Sequence, residues 1–529
     1  MRRRLPALIA ASALIVGSGM AAGCASHKAD VITGPLASML ASSTNLGPSR
    51  AGDAQLTLAL SSSDRPDDLM GWAGARGLRV RWGSGDQWAI VEGAAGDVAR
   101  AFDVPVNDYR GRKGQLFYAS PEQPSVPGPL HAAVSGLGRI MSYTPHRINR
   151  PDHIPLDVPK GGLTPKGLLD AYNAGPLVKE GHTGKGETIV FFEFDGFDQS
   201  DLDKYADTSG LARFTPEVIG GVADEVHGET TMDLQVAHAI APDAHLVYVN
   251  ARPTLEGDGA YEKIGKMFSD ADQRFPGAVW SLSIGWSCDS FVNAADLAPV
   301  ESALAKAQAH GTSAFDATGD NAGLECKGAD EWSSPPGPDD VGLDAVSSLP
   351  TMTAVGATTL STGPRGQWLS EYAWFDSPLS QGSSGGLSAL FARPSWQDKL
   401  AVDRDTERRR LSPDVAAVGD PLTGVRFIFG QNEYVGAGTS QAAPIWAALT
   451  VLVNQYLKAN GGRALGNVNP LLYRVAGGAD LPGFRDVRLG GNAVDMSSPG
   501  YDTVTGLGSP NTYNLARNFL AIQSQVSHG

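Results

Sequence analysis

The sequence predicts an α/β protein. Its larger part, from about residue 160 to the end, reads as a doubly wound, mostly parallel sheet, with a smaller α/β domain ahead of it. Three observations support this. The apolar runs Thr188 to Phe192, His245 to Val249 and Ala278 to Leu282 are short enough, and apolar enough, for strands buried on both faces. Helical stretches alternate with them: Glu229 to Ile240, closed by Pro242, and Val300 to Ala309, ended by Gly311. Finally, nearly every residue from Ile445 to Leu457 is apolar or a good helix former until Gly461-Gly462 stops the pattern, which predicts a buried helix with Ser440 at its amino end.

The elements ahead of the large domain follow in order. Arg2, Arg3 and Arg4 precede an apolar stretch from Leu5 to Val16, and small residues then run to Ala21-Ala22-Gly23-Cys24. This predicts an export signal over residues 1–24, too short for a lasting membrane span. Ala-Gly-Cys also resembles the end of a lipobox, although Ala21 stands where a larger aliphatic is usual. The expectation is an exported protein, either secreted or held on the outer face of the membrane through Cys24. Residues 25–55, small and polar, read as a tether. Residues 56–147 read as a compact domain, with strands at Leu78 to Trp82 and Trp88 to Val91 and a helix at Ala95 to Phe102. Pro145, Pro151, Pro155 and Pro159, in the stretch from Tyr143 to Gly162, mark an exposed, cleavable linker over residues 148–162, and 163–529 form the large domain.

Composition narrows the function. With 529 residues, 42% hydrophobic and 19% charged, the chain is expected to be multi-domain rather than disordered. A formal charge of −15 with no compensating basic stripe argues against nucleic acid. Beyond Cys24 only Cys288 and Cys326 remain; a disulfide and two separate buried thiols are both open readings. The absence of a CxxC or Cys/His cluster argues against structural zinc.

Three local patterns carry chemistry. Gly438-Thr439-Ser440 sets a serine at a helix start, where unpaired N–H groups and the positive dipole end favour a developing oxyanion. A serine nucleophile needs a base. His227 is one candidate. Glu229 and Asp233 are another: at i, i+4 they share a helix face, repel when both are ionised, and can hold a proton between them, which suits a base working in acid. Third, Asp320 lies in Ala317-Thr318-Gly319-Asp320-Asn321-Ala322-Gly323, just after the strand-like Thr312 to Phe315. Side chains at the carboxyl end of such a strand face the ligand crevice, and a protonated acid there can donate to an oxyanion.

Taken together and in this order, Glu229, Asp233, Asp320 and Ser440 resemble the sedolisin family of serine-carboxyl peptidases. The resemblance extends to Ser281-Leu282-Ser283-Ile284-Gly285, Ser348 to Leu360, Ser383 to Ser388, Arg393 to Gln397 and Pro413-Asp414-Val415, and covers roughly residues 165–515. It implies a subtilisin-like fold, with Ser440 as nucleophile, Glu229 as base, Asp233 as its partner and Asp320 as oxyanion donor. It also implies that residues 56–147 are a propeptide, including Ala101-Phe102-Asp103-Val104, that blocks the cleft until removed at low pH. One calcium ion is implied, held by Asp486 and Asp502 through carboxylates and by Val487, Ser498 and Gly500 through carbonyls. Ser498 replaces a frequent glycine; Thr318, Asn321, Ala437 and Asp289 are further departures, and Asp289 bears on the subsites. The implied partners are protein or peptide substrates and the chain's own propeptide, with the enzyme a monomer. The rival expectations are a subtilisin-type hydrolase using His227 and an inactive surface protein that keeps the fold for binding.

Overall fold

The computed structural model describes residues 30–145, 162–327, 337–363, 366–376, 381–402 and 404–526. The expected export signal, Cys24 and the linker up to residue 161 lie outside the described residues.

In the amino-terminal part, Ala54–Leu60 alternates buried and half-buried residues, the period of a strand covered on one face. It is central to an antiparallel four-stranded sheet ordered Arg79–Arg81, Trp88–Gly93, Ala54–Leu60, Val134–Leu137. Helices Asp67–Gly74 and Ala95–Phe102 cover it with Leu69, Trp72, Val98 and Phe102. A second antiparallel sheet joins Thr44–Pro48, Asn107–Arg110 and Leu116–Ala119.

The expected tether over residues 25–55 is corrected from residue 30 onward. Pro35–Ser42 is a helix with Pro at its start, and the strand Ala54–Leu60 begins inside the span. Ile32, Leu36 and Leu40 join one apolar cluster with Leu282, Trp286 and Phe291 of the large domain. The small, polar composition hid an i, i+4 leucine pair, enough for one buried face.

The large domain is built on an eight-stranded sheet. Its order is Glu217–Ile219, His245–Asn250, Thr188–Glu193, Val279–Leu282, Ser313–Ala317, Thr353–Thr362, Trp368–Ala373, with Val415–Val418 also paired to Thr353–Thr362. All pairings are parallel except that of Trp368–Ala373. Consecutive residues of Thr188–Glu193 serve opposite faces. Ile189 and Phe191 pack with helices Glu229–Ile240 and Thr439–Ala459, while Val190 and Phe192 pack with helices Ala260–Arg274 and Ala298–Ala309. The fold is thus the expected doubly wound α/β sheet. After Thr188–Glu193 the chain builds strands first on one side and then on the other, so a crevice opens at the carboxyl ends of Thr188–Glu193 and Val279–Leu282.

Cys288 and Cys326 form a disulfide, their Cα atoms 4.9 Å apart, which decides between the two readings left open.

Candidate active site

Helix Thr439–Ala459 begins at Gly438, and Ser440 is buried in its first turn. Gly438 has φ +89°, and a Cβ there would lie 2.7 Å from Asp320 Oδ2, so backbone conformation and close approach both require glycine. Pro444 is the helix's sixth residue, deeper than an early-turn proline, so the Ser440 carbonyl gets no N–H from it. Ser283 Oγ, just past the strand Val279–Leu282, lies 3.2 Å from that carbonyl and supplies a hydrogen bond.

Helix Glu229–Ile240 is buried along its whole length and presents Glu229 and Asp233 toward Ser440. The Ser440 hydroxyl hydrogen-bonds the Glu229 carboxyl. Burial first, then the neighbouring Glu193 and Asp195, push Glu229 well above the usual carboxylate range. Asp233 is raised for the same reason, burial first and then Glu193 and Glu229. Its Oδ2 lies 2.5 Å from Ser283 Oγ. A serine hydroxyl has one proton, yet Ser283 faces two acceptors, Asp233 and the Ser440 carbonyl. A protonated Asp233 resolves this by donating to Ser283, which then donates onward.

Two acids of this cluster are not apparent from sequence patterns. Glu193 ends its strand, is buried, and meets the Asp233 carboxyl, a contact that needs a proton between them; burial and Asp195 raise it to about 8. Asp195, two residues on, accepts from the backbone N–H groups of His227, Gly228 and Thr230 at 2.8, 3.0 and 3.0 Å and so caps helix Glu229–Ile240 across space. The usable signal was Phe191-Phe192-Glu193-Phe194-Asp195, two acids closing an apolar strand at the switch point.

Asp320 follows the strand Ser313–Ala317 and approaches the helix start from the other side. Its Oδ1 accepts from Thr439 N at 2.8 Å and Thr439 Oγ1 at 2.9 Å, and it adds to the electrostatic pressure on Glu229. His227, by contrast, turns its ring to Glu225 at 3.2 Å, and the group on the Ser440 hydroxyl is Glu229. Glu229, Asp233, Asp320 and Ser440 thus lie close together in the structure. A hydroxyl bonded to a carboxyl of raised proton affinity, with a second acid at the same helix end, can perform nucleophilic and general acid–base chemistry in acid.

In the carboxyl-terminal loop, the two acids expected to hold calcium bond backbone N–H groups of the same segment. Both Asp486 oxygens accept from Gly500 N at 3.1 Å, and Asp502 accepts from Ser498 N at 3.1 Å. The two carboxylates therefore grip one short loop, with the Val487, Ser498 and Gly500 carbonyls alongside in sequence. Burial raises Asp502 to about 6, a penalty that a bound cation would offset. The expected ligands are all oxygens, the chemistry a hard divalent ion takes, although Arg488 Nε already sits 2.6 Å from Asp486 Oδ2.

The model of the Subtilase family matches residues 219–468. Kumamolisin of Bacillus sp. (strain MN-32) is 29% identical over 461 residues, covering 82% of this chain and 78% of that protein. Sedolisin of Pseudomonas sp. (strain 101) is 26% identical over 449 residues, covering 79% and 72%. Among solved structures, Pseudomonas sedolisin complexed with two molecules of pseudo-iodotyrostatin superposes with a TM-score of 0.56 at 23% identity, over 68% of this chain and 97% of that one, and shares the fold. The chain is thus similar to the sedolisin family of serine-carboxyl peptidases, and these peptidase relatives support a serine-type hydrolase.

Proposed function

We propose that this is an exported, acid-active endopeptidase made as a self-processing zymogen. The observation that carries the proposal is the hydrogen bond between the Ser440 hydroxyl and a buried Glu229 carboxyl of raised proton affinity. In the ionised form Glu229 takes the Ser440 proton as the oxygen attacks the peptide carbonyl, then returns it to the leaving amine. Asp233, with Glu193 behind it, holds the proton that keeps the acid cluster from carrying full negative charge. Asp320 Oδ1 is occupied as an acceptor from Thr439, so its proton belongs on Oδ2, from which it donates to the oxyanion. The first-turn N–H groups of helix Thr439–Ala459 add their positive end.

Residues 56–147 would act as the propeptide, the linker 148–162 as the processing region and 163–529 as the monomeric enzyme, with Cys24 available as a lipid anchor. Packing of Pro35–Ser42 and of Arg81 against the large domain supports an inhibitory segment that docks: Arg81 Nη2 lies 2.8 Å from Glu262, and Tyr118 Oη 2.8 Å from Asp258. Asp486, Asp502 and the carbonyls of Val487, Ser498 and Gly500 would hold calcium, which supplies charge balance and rigidity to the loop that seats Tyr501 against the Pro413 carbonyl at 2.9 Å.

Hydrolysis of a denatured protein substrate at about pH 4, near the ordinary carboxylate range, tests the reading. Ser440→Ala is expected to abolish turnover while leaving the folded protein intact by circular dichroism. Turnover by Ser440→Ala at the wild-type rate would refute it.

A further inference from the structure

The turn that carries Asp320 is braced by a residue the mechanism above does not use. Glu325 Oε1 accepts from Asn321 N at 3.0 Å, Glu325 Oε2 accepts from Asn321 Nδ2 at 3.0 Å, and Ser384 Oγ also donates to Oε1. Asn321 N belongs to the peptide group immediately after Asp320, so holding that amide fixes the plane from which the Asp320 side chain departs. On the other flank, Gly319 has φ +101°, and a Cβ there would lie 2.3 Å from Glu325 Oε1. One carboxylate thus lies against both neighbours of Asp320.

The far end of the brace is fixed as well. Cys326, next to Glu325, is bonded to Cys288. Ser384 accepts from Gly323 N at 2.9 Å through its hydroxyl and donates its own N–H to the Gly319 carbonyl at 3.1 Å. Gly382 N donates to the Asp320 carbonyl at 2.9 Å. The contacts from Thr439 to Asp320 Oδ1 then set the side-chain rotation.

We infer that Glu325 is a positioning residue of the proposed reaction: its carboxylate, clamped on Asn321 and Ser384, holds the 319–323 turn so that Asp320 points at the oxyanion. The inference rests on the reading of Asp320 as the oxyanion donor. A carboxylate is the right group, because three donors converge on its two oxygens and an ionised acceptor binds them more tightly than a neutral one. A glutamine at this place keeps one acceptor oxygen for Asn321 N and Ser384, and its amide can pair with Asn321 after that side chain turns over.

The test compares processed Glu325→Ala, Glu325→Gln, Ser384→Ala and Asp320→Ala enzymes, processing in trans with wild-type enzyme where needed. The readouts are kcat, KM and inhibition by a peptide aldehyde, whose hemiacetal oxygen takes the oxyanion position. Glu325→Ala is expected to lower kcat by about 30-fold to 100-fold, less than the roughly 100-fold to 1,000-fold found for loss of an oxyanion donor itself, with KM within about threefold. Aldehyde inhibition should weaken by a similar factor, and Glu325→Gln should recover most of kcat. Wild-type kcat in Glu325→Ala, or a loss confined to KM, overturns the inference. If Glu325→Ala does not fold, Ser384→Ala carries the test, with an expected several-fold fall in kcat at unchanged KM; unchanged kcat overturns it. Asp320→Ala separates the two levels. Full activity there refutes the underlying reading of Asp320, whereas an inactive Asp320→Ala beside a fully active Glu325→Ala refutes the role of Glu325 alone.

Discussion

Ser440 by itself is a serine at a helix start, and what gives it chemistry is which group meets its hydroxyl. Glu229 does, while His227 faces Glu225. Under the proposed function a carboxylate base in a cluster of acids sets the working range, because the cluster is tolerable only while it holds protons. In the proposed mechanism Asp320 sets the upper limit, which can be measured. An aspartic acid donates to an oxyanion only while protonated, whereas an amide donates at any pH. Asp320→Asn should therefore move the upper limb of the kcat profile toward neutral wherever activity survives; an unchanged upper limb would exclude the protonated-acid role. At this scale the quartet was legible because each member sits in a short motif. Glu193 and Asp195 were not, since an acid after an apolar strand reads as the strand's end. Their roles, a shared proton with Asp233 and a cap on a helix that starts more than thirty residues later, exist only after folding.

Among elements, helices Glu229–Ile240 and Thr439–Ala459 matched their sequence patterns because their apolar content is nearly continuous. Pro35–Ser42 did not, because two leucines among small residues make only a narrow stripe. That helix packs against the large domain through Leu36 and Leu40, so Leu40→Ala should destabilise the precursor by about 2–4 kcal/mol while leaving the Tm of the processed enzyme unchanged. Equal Tm losses in both forms, measured by thermal melts, would contradict the proposed division of the chain. In the 486–506 loop, a bound ion stabilises the folded state by mass action, about 2.7 kcal/mol at a hundredfold excess over Kd. EGTA should lower the Tm of the wild type and have little effect on Asp502→Asn; a wild-type Tm indifferent to chelator would remove calcium from the account.

For the whole molecule, buried acids dominate the dependence on pH. Glu193 and Asp344 are raised to about 8, and Asp289 and Asp296 to about 6, with burial the first cause in each. A carboxyl whose folded value exceeds its unfolded value near 4 binds more protons in the native state between those values. Its contribution is fully present below about pH 4, declines as pH rises above it, and is lost once pH passes the folded value. Thermal melts should therefore give a higher Tm at pH 4 than at pH 8, with the decline spread from about pH 4 to 8; a Tm that rises over that window would contradict the burial of these acids. The doubly wound architecture was readable from strand and helix alternation. The docking of the amino-terminal part and the Cys288–Cys326 bond were not, because both depend on distances between residues remote in sequence.

The central claim is that Glu229, and not His227, serves Ser440. Intact mass after incubation of the full chain at about pH 4, near unperturbed carboxylate values, tests it directly across wild type, Glu229→Ala and His227→Ala. The account predicts that wild type and His227→Ala lose the mass up to the 148–162 linker while Glu229→Ala keeps it. Processing of Glu229→Ala at the wild-type rate, or its arrest in His227→Ala alone, would contradict the account.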